Sequence, residues 1–414
     1  MSSHLPASHP EGPPEPLPAP LRGAETGSFA WHTVTIRMPE IGRRILTENT
    51  FPAEIAARLE GLFAELPEGR VRPLQDDGAP DRADWERYVT PFIGQSWLEV
   101  PWFFAETYYY RRILEATGYF QPGRWQGFDP FASQKRQGLA GSRGAILALV
   151  GLLDQAFLDP GPQSLTRLLQ ANLWGNQADL SQLGSGKQGK TGQPGSHQQP
   201  EKARQGLVVD HTSWLLEQLD PLRRPSGPVD FVLDNAGLEL VGDLVLADYL
   251  LGRQPAVTVR FHLKPHPTFV SDAMIKDVQE TIQFLAADNY PPVHRLGDRL
   301  AAALGEDRLL LADHFFWTSP LSGWEMPGPL RSELRAAGLL VTKGDANYRR
   351  LLGDRHWPQT TPFHEVVRYF PAPLAALRVL KSEIVVGLQP GQAESLDQED
   401  PRWLVDGKWA LIQS

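Results

Sequence analysis

The stretch Val229–Leu251, VDFVLDNAGLELVGDLVLADYLL, decides the fold. Its first part, VDFVLDN (229–235), is apolar nearly throughout and stops on Asp234 and Asn235. Such a run reads as a strand covered on both faces. After Ala236 and Gly237, LELVGDLVLADYLL repeats its apolar residues at three- and four-residue intervals, the period of a helix. A strand that passes through a short polar turn into a helix is the repeating unit of a doubly wound sheet.

The same alternation continues downstream. Further strand candidates are AVTVRFHLK (256–264), DRLLLADH (307–314), GLLVTKGD (338–345) and VLKSEIVVGL (379–388), with helical segments such as AMIKDVQETIQFLAA and NYRRLL between them. Residues 206–414 are therefore expected to form an α/β domain around a mainly parallel, doubly wound sheet. Upstream, IAARLEGLFAEL, SWLEVPWFFAETYYYRRILEATGYF and SRGAILALVGLLDQAFL carry the helical period, which predicts a mostly helical N-terminal subdomain over 29–181. The aromatic run Trp102–Tyr110 reads as a helix buried against the main domain. Residues 1–28 are rich in proline and predict a disordered, extended tail, with no basic and apolar leader pattern.

Residues 182–205 read as a flexible, low-complexity insert of Gly, Gln and Ser. Within it, GSGKQGKT (184–191) fits the letters of a phosphate-binding loop. Such a loop works when a strand precedes it and a helix N-terminus follows, so that aligned amides face the phosphate. Here ADLSQL precedes it, and Pro194 and Pro200 oppose a helix after it. The octet reads as solvated loop.

Bulk properties narrow the classes. With 41% hydrophobic and 21% charged residues the composition is that of a globular enzyme. A net charge of −9 argues against non-specific nucleic-acid binding, which needs a basic face. The absence of cysteine excludes disulfides, zinc–thiolate sites, iron–sulfur clusters and cysteine nucleophiles. The longest apolar run, Gly144–Leu153, falls short of the roughly 20 residues that span a bilayer. A cytoplasmic protein without membrane or nucleic-acid partners is the expectation.

In a parallel sheet, ligands bind beyond the carboxyl ends of the strands. There the sequence places Asp234 and Asn235; Lys264 with His266, leading to Val270-Ser271-Asp272; Asp313 and His314; and Lys343-Gly344-Asp345 with Asn347 and Arg349 beyond. Asp234, Asn235 and Asp272 form a hard, oxygen-rich set suited to Mg²⁺ or Mn²⁺. Lys343 or Arg349 would offset phosphate charge, which together describes metal-assisted phosphoryl hydrolysis. Helix N-capping is the alternative role for Asp234 and for Asp272. His262 and His266 lack a third clustered ligand and read as structural histidines rather than zinc ligands.

FVLDNAGLELVGDLVLADYLL, RFHLKPHPTFVSD, FFWTSP and KGDANYRRLLGD resemble the DUF89 damage-control phosphatases, within them the ARMT1-like (acidic-residue methyltransferase 1) subgroup. LWGNQADLS (173–181) and WFFAETYYYRR resemble the same subgroup, so the likeness runs from about Phe29 to the C-terminus. The resemblance implies a divalent metal, Mn²⁺, Co²⁺, Ni²⁺ or Mg²⁺, on Asp234, Asn235 and Asp272, which would be the catalytic residues. It implies substrate contacts from Lys343, Asp345, Asn347 and Arg349, and from Glu239. An Arg-Thr-x-Lys signature of the subgroup here reads Arg378-Val379-Leu380-Lys381, which keeps Lys381 and loses the threonine hydroxyl. The implied activity is hydrolysis of small phosphate monoesters, sugar phosphates such as fructose 1-phosphate or fructose 6-phosphate. The competing expectations are carboxyl methyl transfer from S-adenosylmethionine and a catalytically silent interaction module.

Overall fold

The computed structural model describes residues 12–75, 77–175, 206–220, 227–253 and 257–414. Seven strands form one sheet: β1 (Leu207–Asp210), β2 (Val229–Val232), β3 (Val259–Leu263), β4 (Leu309–Asp313), β5 (Leu339–Lys343), β6 (Leu374–Val379) and β7 (Ala410–Gln413). Their order is β1-β7-β6-β5-β2-β3-β4, and every neighbouring pair is parallel except β6 with β7. β2 and β5 are buried at every position, as the uninterrupted apolar runs require when helices cover both faces.

The topology locates a crevice before any side chain is considered. From β2 the chain winds outward through β3 and β4, then returns to place β5 on the opposite side of β2. Helices leaving β2 and β5 therefore depart on different sides, and a cleft opens between the carboxyl ends of these two strands.

The helices used below are α1 (Met38–Glu48), α2 (Ala53–Ala64), α3 (Trp102–Thr117), α4 (Ala132–Gly141), α5 (Arg143–Leu158), α6 (Pro162–Leu173), α7 (Leu238–Arg253), α8 (Ile275–Ala286), α9 (Pro291–Gly305) and α10 (Asp345–Leu352). α1, α2 and α3 share one apolar core with Trp85, Trp97 and Phe131. α5 and α6 do not join it; they pack with α7, α8 and α9 on one face of the sheet. The helical region expected as one subdomain over 29–181 thus divides. Its first part has a core of its own, and its second part is a layer of the α/β domain. The reason is visible in α5: GAILALVGLL is apolar around most of its circumference, so it needs neighbours on several sides. No single helix among the described residues is long and apolar enough to cross a membrane.

Two other expectations are corrected. VLKSEIVVGL (379–388) is not a strand: β6 ends at Val379, and Leu380, Ile384, Val385, Val386 and Leu388 run on as a buried irregular segment. The apolar run reflects burial against the second face of the sheet rather than ladder pairing. β7 takes the place beside β6. Nor is the described part of the proline-rich tail loose. Residues 12–22 form an extended strap whose carbonyls are taken up one after another. His356 N donates to Ala19 O (3.0 Å), Trp102 N to Leu21 O (2.8 Å) and Arg355 Nη1 to Pro18 O (2.6 Å). Arg368 donates to the carbonyls of Gly12 and Pro13. Proline removes donors but keeps acceptors, so arginines can pin a segment that no ladder could hold. The insert 182–205, its GSGKQGKT octet and most of LWGNQADLS lie outside the described residues.

Candidate active site

The crevice between β2 and β5 is lined by Asp234, Glu239, Lys343, Gly344, Asp345 and Lys381, with Leu173, Leu377 and Val379 as apolar wall. Asp234 follows β2 and is buried, and Asn235 turns its amide back on the same site. Asn235 Nδ2 donates to Asp234 Oδ2 (2.9 Å) and to Glu239 Oε2 (2.8 Å), while Ser271 Oγ donates to Asn235 Oδ1 (2.5 Å). The helix of Glu239 begins only at Leu238, so Asp234 and Glu239 do not share a helical ladder. Gly237, at φ +77°, turns the chain between them, and the first-turn Glu239 meets Asn235. The left-handed angle is one that glycine supplies without strain.

Asp272 reaches the site from the segment after β3. A bridge pairs Asn235 with Asp272, and Ala273 N donates to Asp234 O (2.8 Å). The Asp272 carboxylate ion-pairs with Lys264, Oδ2 to Nζ 3.2 Å. Lys264 also donates to Leu233 O, at 3.2 Å.

The electrostatics point to a missing positive charge. Burial first, then the nearby carboxylates of Glu239 and Asp272, push the Asp234 pKa well above the carboxylate range. Burial also raises Asp272, against the pull of Lys264. No lysine or arginine among the described residues lies within ion-pair distance of Asp234. A divalent cation would remove the repulsion, and oxygen donors of this kind suit hard ions. Ligation through the Asn235 oxygen requires only that the amide be reversed, which exchanges its donor and acceptor ends. Among the described residues, no three His, Cys, Asp or Glu side chains already stand as a metal cage. The fit thus rests on charge and donor chemistry.

Lys343 ends β5 and is buried, its Nζ 3.0 Å from Asp243 Oδ1 and 3.7 Å from Glu239 Oε1. Burial disfavours its charge, but Asp243 and Glu239 outweigh that and raise its pKa. Asp243 also accepts from Asn172 Nδ2 (2.6 Å), which ties α6 to the site. The sequence reading passed over Asp243. Its signal was present: an acid one turn after Glu239, on a helix whose residues are mostly apolar, must find a buried partner. Gly344 brings the backbone against the Asp234 carboxylate, where a Cβ would lie 1.9 Å from Oδ2.

Several residues expected to touch substrate are engaged within the protein, Asp345 among them although it lines the crevice. Asp345 accepts from Arg378 Nε (2.8 Å), Ser382 Oγ (3.0 Å) and Lys381 N (3.2 Å), so its carboxylate organises the 378–382 turn. Burial opposes its charge, yet Arg378 and Arg349 hold its pKa below the usual value. The turn leaves Lys381 exposed, without an ion-pair partner among the described residues. Asn347 points inward and donates to Lys343 O (2.8 Å) and Leu233 O (3.1 Å), locking the ends of β5 and β2 together. His262 pairs with Asp230 at 3.0 Å inside the sheet, which fits its structural reading.

Arg349 is not brought to the crevice. It binds Asp354 through Nε and Nη2 (2.8 and 3.0 Å) and Glu106 of α3 through Nη1 (2.5 Å), and its guanidinium stacks 3.5 Å from the Trp102 ring. Burial works against its charge, but Asp354 and Glu106 hold its pKa above the ordinary arginine value. Removing one partner from a buried ion-pair set typically costs roughly 3–5 kcal/mol, because the other charges stay buried. Arg349→Met is therefore expected to lower the unfolding free energy, read from denaturant titration, by about that much while leaving KM near wild type. A raised KM with unchanged stability would instead place Arg349 on the substrate.

Comparison with known proteins adds the following. The family model described as the damage-control phosphatase ARMT1-like domain matches residues 33–396. The protein named damage-control phosphatase ARMT1 from Rattus norvegicus is 35% identical over 96% of this chain and 98% of its own length. Those of Danio rerio (35%, over 97% of each chain) and Homo sapiens (34%, over 96% and 98%) are similarly alike. A crystal structure of a DUF89 family protein from Pyrococcus horikoshii matches with 12% identity and a TM-score of 0.46, over 91% of this chain and 95% of that one.

Proposed function

Because the chain belongs to the ARMT1-like damage-control phosphatase family, we propose that the β2–β5 crevice is its site of phosphate-ester hydrolysis, with small sugar phosphates as substrates. The observation that carries this reading is Asp234: buried beside the carboxylates of Glu239 and Asp272, without an ion-pair partner among the described residues, and lining the same crevice as the buried Lys343.

When bound on Asp234, Asn235 and Asp272, a divalent ion would polarise a phosphoryl oxygen and lower the pKa of a water. The other roles fall to residues already described. Lys343, fixed by Asp243, presents a positive charge to a second phosphoryl oxygen. Its longer contact, to Glu239, is the one a phosphate would take over. Glu239 faces the same cavity and is the carboxylate placed to orient a water and receive its proton. Lys381 meets the outer end of the substrate from the mouth. Leu173, Leu377 and Val379 give the pocket an apolar wall and exclude bulk water on that side.

The test is phosphate release from a panel of monoesters, fructose 1-phosphate and fructose 6-phosphate included. The protein is first stripped with chelator, then Mn²⁺, Co²⁺, Ni²⁺ or Mg²⁺ is restored separately. Release is expected only with metal. Release without metal, or none with any of the four, would overturn the reading. Methyl transfer from S-adenosylmethionine to an acidic protein, without phosphate release, would assign the site to that chemistry instead.

A further inference from the structure

The segment that delivers Asp272 is strained. Phe269 and Val270 have φ of +46° and +68°, in the left-handed region that β-branched residues in particular avoid. Ser271 N donates to Phe269 O at 2.8 Å, a three-residue γ-turn centred on Val270. With a positive central φ this turn is the rare and strained form. Conformations of this kind persist only where the surroundings over-determine them.

Those surroundings come largely from the N-terminal half of the chain. Phe269 packs between Phe103 and Tyr110 of α3, with ring centroids at 6.1 and 5.2 Å. From α4, Lys135 reaches the far end of the same segment. Its Nζ, buried, donates to the backbone carbonyl of Asp272 (2.8 Å) and to Asp277 Oδ2 (2.8 Å), and lies 3.2 Å from Asp129 Oδ2. The same Asp277 oxygen accepts from Met274 N (2.9 Å), which caps α8. One ammonium therefore holds both the peptide that carries Asp272 and the helix cap that follows it.

Burying a lysine is unfavourable unless its charge is matched, and one carboxylate would suffice for that. Lys276 already bridges Asp129 and Asp277, at 2.9 Å from each, from the partly exposed side. What Lys135 adds beyond this pairing is its bond to the Asp272 carbonyl. We infer that Lys135 is a positioning residue for the candidate metal site: it holds the strained 269–272 segment so that the Asp272 carboxylate faces Asp234. Outer contacts that orient a ligand typically tune metal affinity roughly 10–100-fold.

The inference rests on the reading that Asp272 ligates a cation, and the experiment separates the two. Full-length wild type, Lys135→Met and Lys276→Met are titrated with Mn²⁺, and free Mn²⁺ is read by electron paramagnetic resonance, with thermal melts alongside. Lys135→Met is expected to weaken Mn²⁺ binding by roughly 10–100-fold, and Lys276→Met, which does not touch the Asp272 peptide, by less than about threefold. Equal affinities in wild type and Lys135→Met would overturn the positioning role alone, as would equal losses in the two variants. Failure of the wild type to bind Mn²⁺ would overturn the cation reading and this inference with it. Should Lys135→Met not fold, Lys135→Gln, which keeps one amide donor without the charge, makes the same comparison with a smaller loss.

Discussion

Asp234→Ala is expected to abolish measurable phosphate release, a fall of roughly a thousandfold or more, while the protein stays folded. A metal ligand carries several kcal/mol of transition-state charge stabilisation, and each 1.36 kcal/mol is about tenfold in rate. Stability should move little or even rise, because the variant removes a buried carboxylate that Glu239 and Asp272 repel. The two readouts together make the claim specific. Activity retained at more than about a tenth of wild type would show that Asp234 only ends a strand. Activity lost together with the folded state would assign it to architecture.

Gly344→Ala is expected to be nearly as damaging, although it changes no functional group. Gly344 sits at φ +84° and ψ 175°, a region open essentially to glycine alone, where another residue costs about 1–3 kcal/mol. The added methyl would also meet Asp234 Oδ2 at 1.9 Å and the Asp234 Cγ at 2.1 Å, so the carboxylate must leave its place. A loss of roughly a hundredfold in kcat/KM follows for a misplaced reacting group, with a lower melting temperature. Gly391→Ala supplies the contrast. Gly391 also has a positive φ, +81°, but a Cβ there meets nothing within 4 Å. It should lose some stability and keep its activity. If both variants lose activity alike, backbone strain rather than displacement of Asp234 is the cause.

The parts of this site that were legible in the sequence are those fixed by strand ends. Asp234, Asn235 and Lys343 stand at the ends of apolar runs with the length and composition of buried strands, and the parallel sheet brings such ends to one edge. Asp272 was legible for a second reason, the polar turn after β3. Arg349 could not be placed from sequence, because a basic residue shortly after a strand looks the same whether it turns toward the crevice or toward α3. Only the packing of α10 against Trp102 and Glu106 decides that, and the partners lie 243 positions apart in the case of Glu106. The same holds for Asn347, whose carbonyl partners are Val232 of β2, Leu233 just after it and Lys343 of β5. Asp243 could be suspected only as an acid on a largely apolar helix, while Lys135 sits in the polar run SQKRQ, where nothing local sets it apart. In the fold, VLKSEIVVGL misled because hydrophobicity reports burial, and a buried loop and a buried strand share that signal.

The proline strap carries a consequence for biosynthesis. Its carbonyls at Gly12 and Pro13 are taken by Arg368, 356 positions further along at the longest span. At a translation rate of about 5–20 residues per second, the strap waits roughly 20–70 seconds on the ribosome before its last docking partner has been made. During that interval the N-terminal helical core can already condense from local contacts, while Arg355, His356 and Arg368, which hold the strap, have not yet been made. A segment made early is thus among the last to find its place, and its docking marks the moment when both halves of the chain are present and joined.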